Sequence, residues 1–387
     1  MSKIKSGYYN LTPPTPIREN VIERVYSLVG GDIVPNGENN LYPNEMAAML
    51  RQSKYQRGIL KSKRSHFVGT DFFSEDAKTQ KWLDEPNEEY SLHEAFNRLM
   101  MDYGNDGNGY LKIVTNREKS FFKIYHLDGT KCRLNKDHEI VFNHDWINRT
   151  KEDDEIIPPF PEFKKDGKYF ISAIHIKDYE PEFAWYGVAG WIGGFLNVKI
   201  DIQTDEWNQH HVEHGYKTDN VIVFPDGVSD AEIKEVKKSH KEFKEGKPGG
   251  FFYLVGDGVK VSPQNSKVLD VDWEKLNRLN IDKMVMANSW FKSLLSISQN
   301  TGFDTERVKY DYQLAKVEIA AVQNKFRKIF NEIFNFFGYD SNLQIENIQV
   351  LPEPTPIEKL VLMKDFLTDE QKTEIGADIF DEWKSTK

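Results

Sequence analysis

Near the middle of the chain, His210-His211-Val212-Glu213-His214 has the residue types and spacing of a metal hydrolase site. On a helix, the two ends of an H-x-x-E-H string, His210 and His214, lie one turn apart and can share a zinc ion, whose bound water Glu213 can polarise. The string is short enough to arise by chance. It falls at the polar end of a helical pattern just before Gly215, no third ligand is identifiable, and histidines at a helix C-terminus also complement its dipole. The expectation is no metal, no cofactor and no catalytic residue. A phosphate-binding G-x-x-x-x-G-K-[ST] loop, a G-x-S-x-G elbow and a dinucleotide fingerprint are all missing. Gly246-Lys247-Pro248-Gly249-Gly250 joins a helix to a strand instead of opening a helix, which disfavours a phosphate cradle and with it a motor or synthetase.

At 387 residues the chain has material for two or three domains. Its 13% aromatic content argues against disorder. Lys and Arg number 51 against 61 Asp and Glu, a net charge of −10, so the chain lacks the basic footprint of a protein that grips nucleic acid. Cys132 is the single cysteine, which excludes an intrachain disulfide framework and fits a reducing compartment. The opening MSKIKSGYYNLTPPTPIREN lacks the apolar core of a signal peptide. The longest uncharged run, 183–198, falls short of the roughly 20 apolar residues a membrane span needs, so no membrane contact is expected.

Residues 1–40 are rich in Pro, Asn and Gly and read as an extended arm of the kind that lies on a neighbouring subunit. One helix is expected over 44–67, closed by Gly69. Its face of Arg51, Lys54, Arg57, Lys61, Lys63 and Arg64 is the densest positive cluster in the chain, and reads as a solvated face ahead of a phosphate contact. Residues 82–87 form a turn, and Ser91-Leu92-His93-Glu94 is a capping box opening a helix to Tyr103. The turn Asp106-Gly107-Asn108-Gly109 leads to a strand at 110–114. Short strands follow at 121–126, 131–134, 139–143 and 169–176, with a charged, Pro-broken loop over 151–168. The first 180 residues are thus an α+β unit.

Farther on, a strand at 221–224, a helix at 229–246 capped by Ser229 and a strand at 251–255 make a small unit between two helical stretches, 183–215 and 270–295. The shape is a hairpin of helices tipped by a small α/β unit. In the first of these helices Gly187, Gly190 and Gly194 fall at helical spacing on one face, with Trp191 on another. Each internal Gly costs a helix up to about 1 kcal/mol relative to Ala, so a close approach, as of a neighbouring helix, is expected there. After a polar break at 294–305, apolar residues at 308, 312, 315, 319, 322, 326, 329, 333 and 337 predict a rod of roughly 50 Å ending at Gly338. A strand over 343–351, a Pro-rich break and two helical segments complete the chain.

The order and spacing of these pieces resemble the portal proteins of tailed bacteriophages, which form the ring at the unique capsid vertex through which DNA enters and leaves. The resemblance covers residues 40–380. It is carried by Leu83-Asp84-Glu85-Pro86-Asn87 before a helix, by Asp106-Gly107-Asn108-Gly109-Tyr110-Leu111-Lys112-Ile113, and by Trp185-Tyr186-Gly187. The run 215–224 before a helix and strand, and Leu367-Thr368-Asp369-Glu370, add to it. It implies an α+β portal fold: N-terminal arm 1–40, α/β wing 41–182, stem helix 183–219, clip 220–262, second stem helix 263–293, tunnel loop 294–305, long wing helix 306–342 and short helical crown 343–387.

By that resemblance Ser296, Ser298, Gln299, Asn300, Thr301 and Gly302 line the DNA channel. Gly187, Gly190, Trp191 and Gly194 pack the stems of neighbouring subunits, and Val221, Phe224, Phe251 and Tyr253 of the clip meet the terminase or adaptor. The implied partners are further copies of the chain in a dodecameric ring, the major capsid protein, the terminase large subunit, a head-tail adaptor and double-stranded DNA without sequence readout. The implied location is the portal vertex of the virion, reached through the host cytoplasm during assembly. An acidic wall suits such a conduit, because it avoids the counterion-release attraction that basic surfaces create. The alternatives are the portal of a gene transfer particle and a zinc-dependent hydrolase built on His210, Glu213 and His214.

Overall fold

A computed structural model describes residues 5–8, 32–213, 221–224, 229, 231, 234–235, 238, 252–255, 266–295, 305–339 and 342–348. Two helices, α1 (Tyr42–Gln52) and α2 (Lys54–Val68), stand where periodicity predicts one. Ser53 divides them. Its backbone leaves the helical region (φ −86°, ψ 110°), its hydroxyl oxygen accepts the Gln56 N–H that opens α2, and its O–H donates to Asp201 Oδ2 at 2.6 Å. Strand β2 (Asp71–Phe73) and helix α3 (Ala77–Asp84) follow, the helix capped by Asp76, which accepts the Thr79 N–H at 2.8 Å. Helix α4 (Leu92–Asp106) opens on the capping Ser91 and ends at Gly107 in the left-handed region (φ 82°).

Strand β3 (Asn108–Thr115) is central to an antiparallel sheet with β4 (Phe122–Leu127), β8 (Lys164–Asp166) and β9 (Tyr169–Lys177), in the order β4-β3-β9-β8. A second antiparallel sheet joins β5 (Cys132–Leu134), β6 (Ile140–Phe142) and β7 (Glu155–Ile157). The 151–168 stretch expected as loop therefore supplies β7 and β8, short strands whose charged residues hide the alternation that marks a strand.

Three long helices follow: α5 (Phe195–Glu213), α6 (Ser266–Ala287) and α7 (Thr305–Phe336). Strands β10 (Val221–Phe224) and β11 (Phe252–Val255) pair in parallel. Strand β1 (Lys5–Tyr8) adds antiparallel to β11, so this piece of the arm lies on the chain's own small sheet. Strand β12 (Gln344–Glu346), from the segment read as the start of the crown, pairs antiparallel with β2. Residues 349–387 lie outside the described residues.

The core is centred on the C-terminal half of α7. Phe326, Phe330 and Phe334, spaced by four, are fully buried among Phe72, Trp82, Phe96 and Phe122. Phe330 meets Phe72 and Phe96 edge-on at 5.6 and 5.7 Å between ring centres. Burial of each such ring is worth about 1.5–3 kcal/mol. Lys325 fixes the rotation of this half, donating to Tyr103 Oη at 2.8 Å and the Lys177 carbonyl at 2.9 Å.

The glycines at 187, 190 and 194 do not share a helix face, because α5 begins only at Phe195, after a 3₁₀ turn over Ile192–Gly194. The backbone from 187 to 188 bonds sideways instead of four residues back: Gly187 N–H donates to Asn108 Oδ1 at 2.7 Å and Val188 N–H to the Asp178 carbonyl at 3.3 Å. A Cβ on Gly187 would stand 2.1 Å from the Gly107 carbonyl oxygen. A close approach does require this glycine, but the approaching group is the chain's own turn after α4.

Candidate functional site

The hairpin of α5 and α6 is antiparallel. Near its base Asn197 and Asn280 exchange amide hydrogen bonds, Asn197 Nδ2 to Asn280 Oδ1 at 2.8 Å and Asn280 Nδ2 to the Asn197 carbonyl at 2.9 Å. A Cβ on Gly194 would come within 2.7 Å of Ala287 Cβ, so this glycine sets the spacing of the pair. Helix α2 clamps the base from the side. Ser53 and Lys54 hold Asp201 and Asp205 of α5, both at 2.6 Å, and Gln56 makes a two-way amide pair with the buried Asn288 just past α6. Burial pushes the Asp201 carboxyl up, against the pull of the Ser53 hydroxyl. Trp290 donates its indole N–H to Ser62 at 3.1 Å.

The long helices present apolar stripes to solvent. On α5, Leu196, Ile200 and Trp207 fall within about 40° of one another around the axis, and all are exposed. On α6 the exposed set is Leu276, Leu279 and Met286, the last 78% exposed. On α7 it is Tyr310 (71%), Leu314 (61%) and Val317 (73%), within about 60° of one another. The buried stripe of α7, Tyr312, Ala315 and Ile319, lies on its other side. Single exposed apolar side chains are ordinary, whereas a stripe of them along one helix face is a candidate interaction surface.

Of the residues expected to pack neighbouring stems, Gly187 is buried in the intrachain contact described above and Gly190 is exposed in irregular chain. Trp191 is buried in the core, donating to the Gly104 carbonyl at 2.9 Å, and Gly194 serves the intrachain hairpin. Val221, Phe224 and Tyr253 lie on β10 and β11 of the small three-stranded sheet. Phe251 and the expected channel loop, Ser296, Ser298, Gln299, Asn300, Thr301 and Gly302, lie outside the described residues. His210 and Glu213 are on the last turn of α5, and His214 lies outside the described residues. Among the described residues no group of three or more His, Cys, Asp or Glu could hold a metal ion, and no helix is long and apolar enough to cross a membrane.

Solved structures with a similar fold include two from gene transfer agent particles. A chain from the virion of a native gene transfer agent particle superposes with a TM-score of 0.51 at 12% identity, over 86% of this chain and 93% of that one. A chain from the neck of an empty gene transfer agent particle, computed with C6 symmetry, superposes with a TM-score of 0.52 at 13% identity, over 87% and 94%. At these identities the likeness is one of fold. No family model matches the sequence, and no curated protein matches it. The mixed helix-and-sheet chain thus has the fold of chains found in the virion and neck of gene transfer agent particles.

Proposed function

We propose that the chain is a portal-type subunit of a phage-like particle, a gene transfer particle included. Copies form a closed ring through which double-stranded DNA passes during packaging and ejection. The observation that carries this reading is the fold likeness over nearly the whole length of a neck chain from a particle computed with C6 symmetry. The apolar stripes of α5, α6 and α7 support it, because a subunit with sticky faces on several helices can repeat one head-to-tail contact until a ring closes. A dodecamer at the capsid vertex is the expected assembly, with the major capsid protein around it and the terminase large subunit, then a head-tail adaptor, docking at the small sheet of β1, β10 and β11. Loop 294–305 would border the channel and touch DNA without reading its sequence, and assembly would take place in the host cytoplasm. No observation favours the zinc-hydrolase alternative. Negative-stain microscopy of the purified protein tests the proposal: rings with a central hole are expected, and compact monomers at every concentration would overturn it.

A further inference from the structure

Helix α2 carries a set of cations that the fold does not use. Arg57, Lys61 and Arg64 fall within about 60° around the helix axis, spaced by four and three residues. Arg57 and Lys61 are exposed, and none of the three side chains has a hydrogen-bond or ion-pair partner among the described residues. Their neighbours on the same helix do have partners: Lys54 meets Asp205 at 2.6 Å, and Lys63 meets Glu318 at 2.8 Å. Glu94, the carboxylate that faces Arg64, is taken by Arg98 at 2.9 Å, and Arg64 Nε is buried without an acceptor. In a chain with a net charge of −10 these three side chains are a local exception.

A second observation lies beside them. Gly58, mid-helix and exposed, borders the stripe at about 60° from Lys61 around the axis, and a Cβ built on it meets nothing within 4 Å. Alanine would fit there and favour the helix by up to about 1 kcal/mol, so packing inside the chain gives no reason for a glycine. A broad partner that approaches the helix backbone does give one. From Arg57 to Arg64 the helix rises about 10 Å, and one strand of a DNA duplex carries a phosphate every 3.4 Å of its axis, about three over that length.

We infer that Arg57, Lys61 and Arg64, with Gly58 admitting close approach, form a sequence-independent contact for the phosphate backbone of double-stranded DNA. The inference deepens the conduit reading and rests on it for the identity of the polyanion. It places an attractive contact on α2, in an otherwise acidic chain.

The test is binding of the full chain to a short fluorescent DNA duplex at a series of salt concentrations, with light scattering on the same samples. For the wild type, log affinity should fall with log salt. The triple variant Arg57→Gln, Lys61→Gln, Arg64→Gln should flatten that slope by about 2.7, at roughly 0.9 per phosphate contact. Gly58→Leu should weaken binding without lowering the melting temperature. Substituting the exposed Lys164, Lys165 and Lys168 by Gln removes equal charge elsewhere and should leave the slope unchanged. An unchanged slope in the α2 variant, an equal loss in the lysine control, or no duplex binding by the wild type overturns the inference. So does an α2 variant that loses particle mass but keeps its DNA slope, since the stripe would then face an acidic surface of the next copy. A flattened slope in protein that forms no ring would uphold the DNA contact while sinking the ring.

Discussion

Asp106 is a carboxyl sealed at the end of α4, where its Oδ1 accepts the Asn108 N–H at 3.0 Å. The fully buried Arg133 spends its donors elsewhere, on oxygens of Asn40, Asn44, Thr130 and Cys132, and compensates the carboxyl only from a distance. Burial, then the charge of Asp102, push Asp106 up from 3.8 to about 7. Between those values the folded chain holds a proton that the unfolded chain has released. The resulting stabilisation is complete below about 3.8, and is lost as pH rises through about 7. At 1.36 kcal/mol per pH unit the loss amounts to roughly 4 kcal/mol. His175 runs the other way: burial, then Lys177, lower it to about 3, so its contribution is lost as pH falls below 6.5. Asn at position 106 keeps the acceptor for Asn108 and removes the titration. Asp106→Asn should therefore gain stability over the wild type progressively between about pH 4 and pH 7, with a constant margin above that range. Urea denaturation across the range is the check; a margin independent of pH would mean that the carboxyl is charged throughout.

Each half of helix α7 has its own task. In the C-terminal half Phe326, Phe330 and Phe334 fill the core, whereas in the N-terminal half Tyr310, Leu314 and Val317 face solvent opposite the buried Tyr312, Ala315 and Ile319. Phe330→Ala should cost about 3–5 kcal/mol in denaturant unfolding of dissociated subunits. Leu314→Ala should stay within about 0.5 kcal/mol in the same measurement, because that side chain is 61% exposed. A large loss for Leu314→Ala would place that side chain in the core. The contrast also explains what the sequence makes visible. The rod itself is legible, since its apolar residues keep steps of three and four from Tyr312 to Phe337. Its second apolar stripe is not, because a periodicity analysis gathers one face and leaves the remaining apolar residues without a place. The Ser91 cap of α4 is legible because its mechanism is local, although Glu94, the other half of the expected capping box, pairs with Arg98. The break at Ser53 has a local half, the cap on Gln56, that a continuous apolar periodicity masks, and a half that lies in Asp201, far along the chain. The glycine run predicts a close approach, which Gly194 makes to the neighbouring helix α6, but nothing in 187–194 says that the backbone of Gly187 must pass the turn at Gly107.

At the scale of the whole molecule, the proposed ring gives the apolar stripes a part in how copies join. A closed ring repeats one heterologous contact, in which a face of each copy meets a different face of the next. Assign Leu196, Ile200 and Trp207 of α5 to one side of that contact, and Tyr310, Leu314 and Val317 of α7 to the other. All six side chains are exposed, so replacing either trio with Ser leaves the buried core in place. Each variant alone should be monomeric, because every contact it could make needs its damaged face. In a mixture, the intact α7 face of the α5 variant can meet the intact α5 face of the α7 variant exactly once per pair. The resulting dimer carries only damaged faces at its two ends and cannot grow. Light scattering should therefore read monomer for each variant, dimer for the equimolar mixture and a large particle for the wild type. A mixture that stays monomeric would show that these two stripes do not meet each other, and variants that keep the wild-type mass would show that neither stripe holds the assembly together.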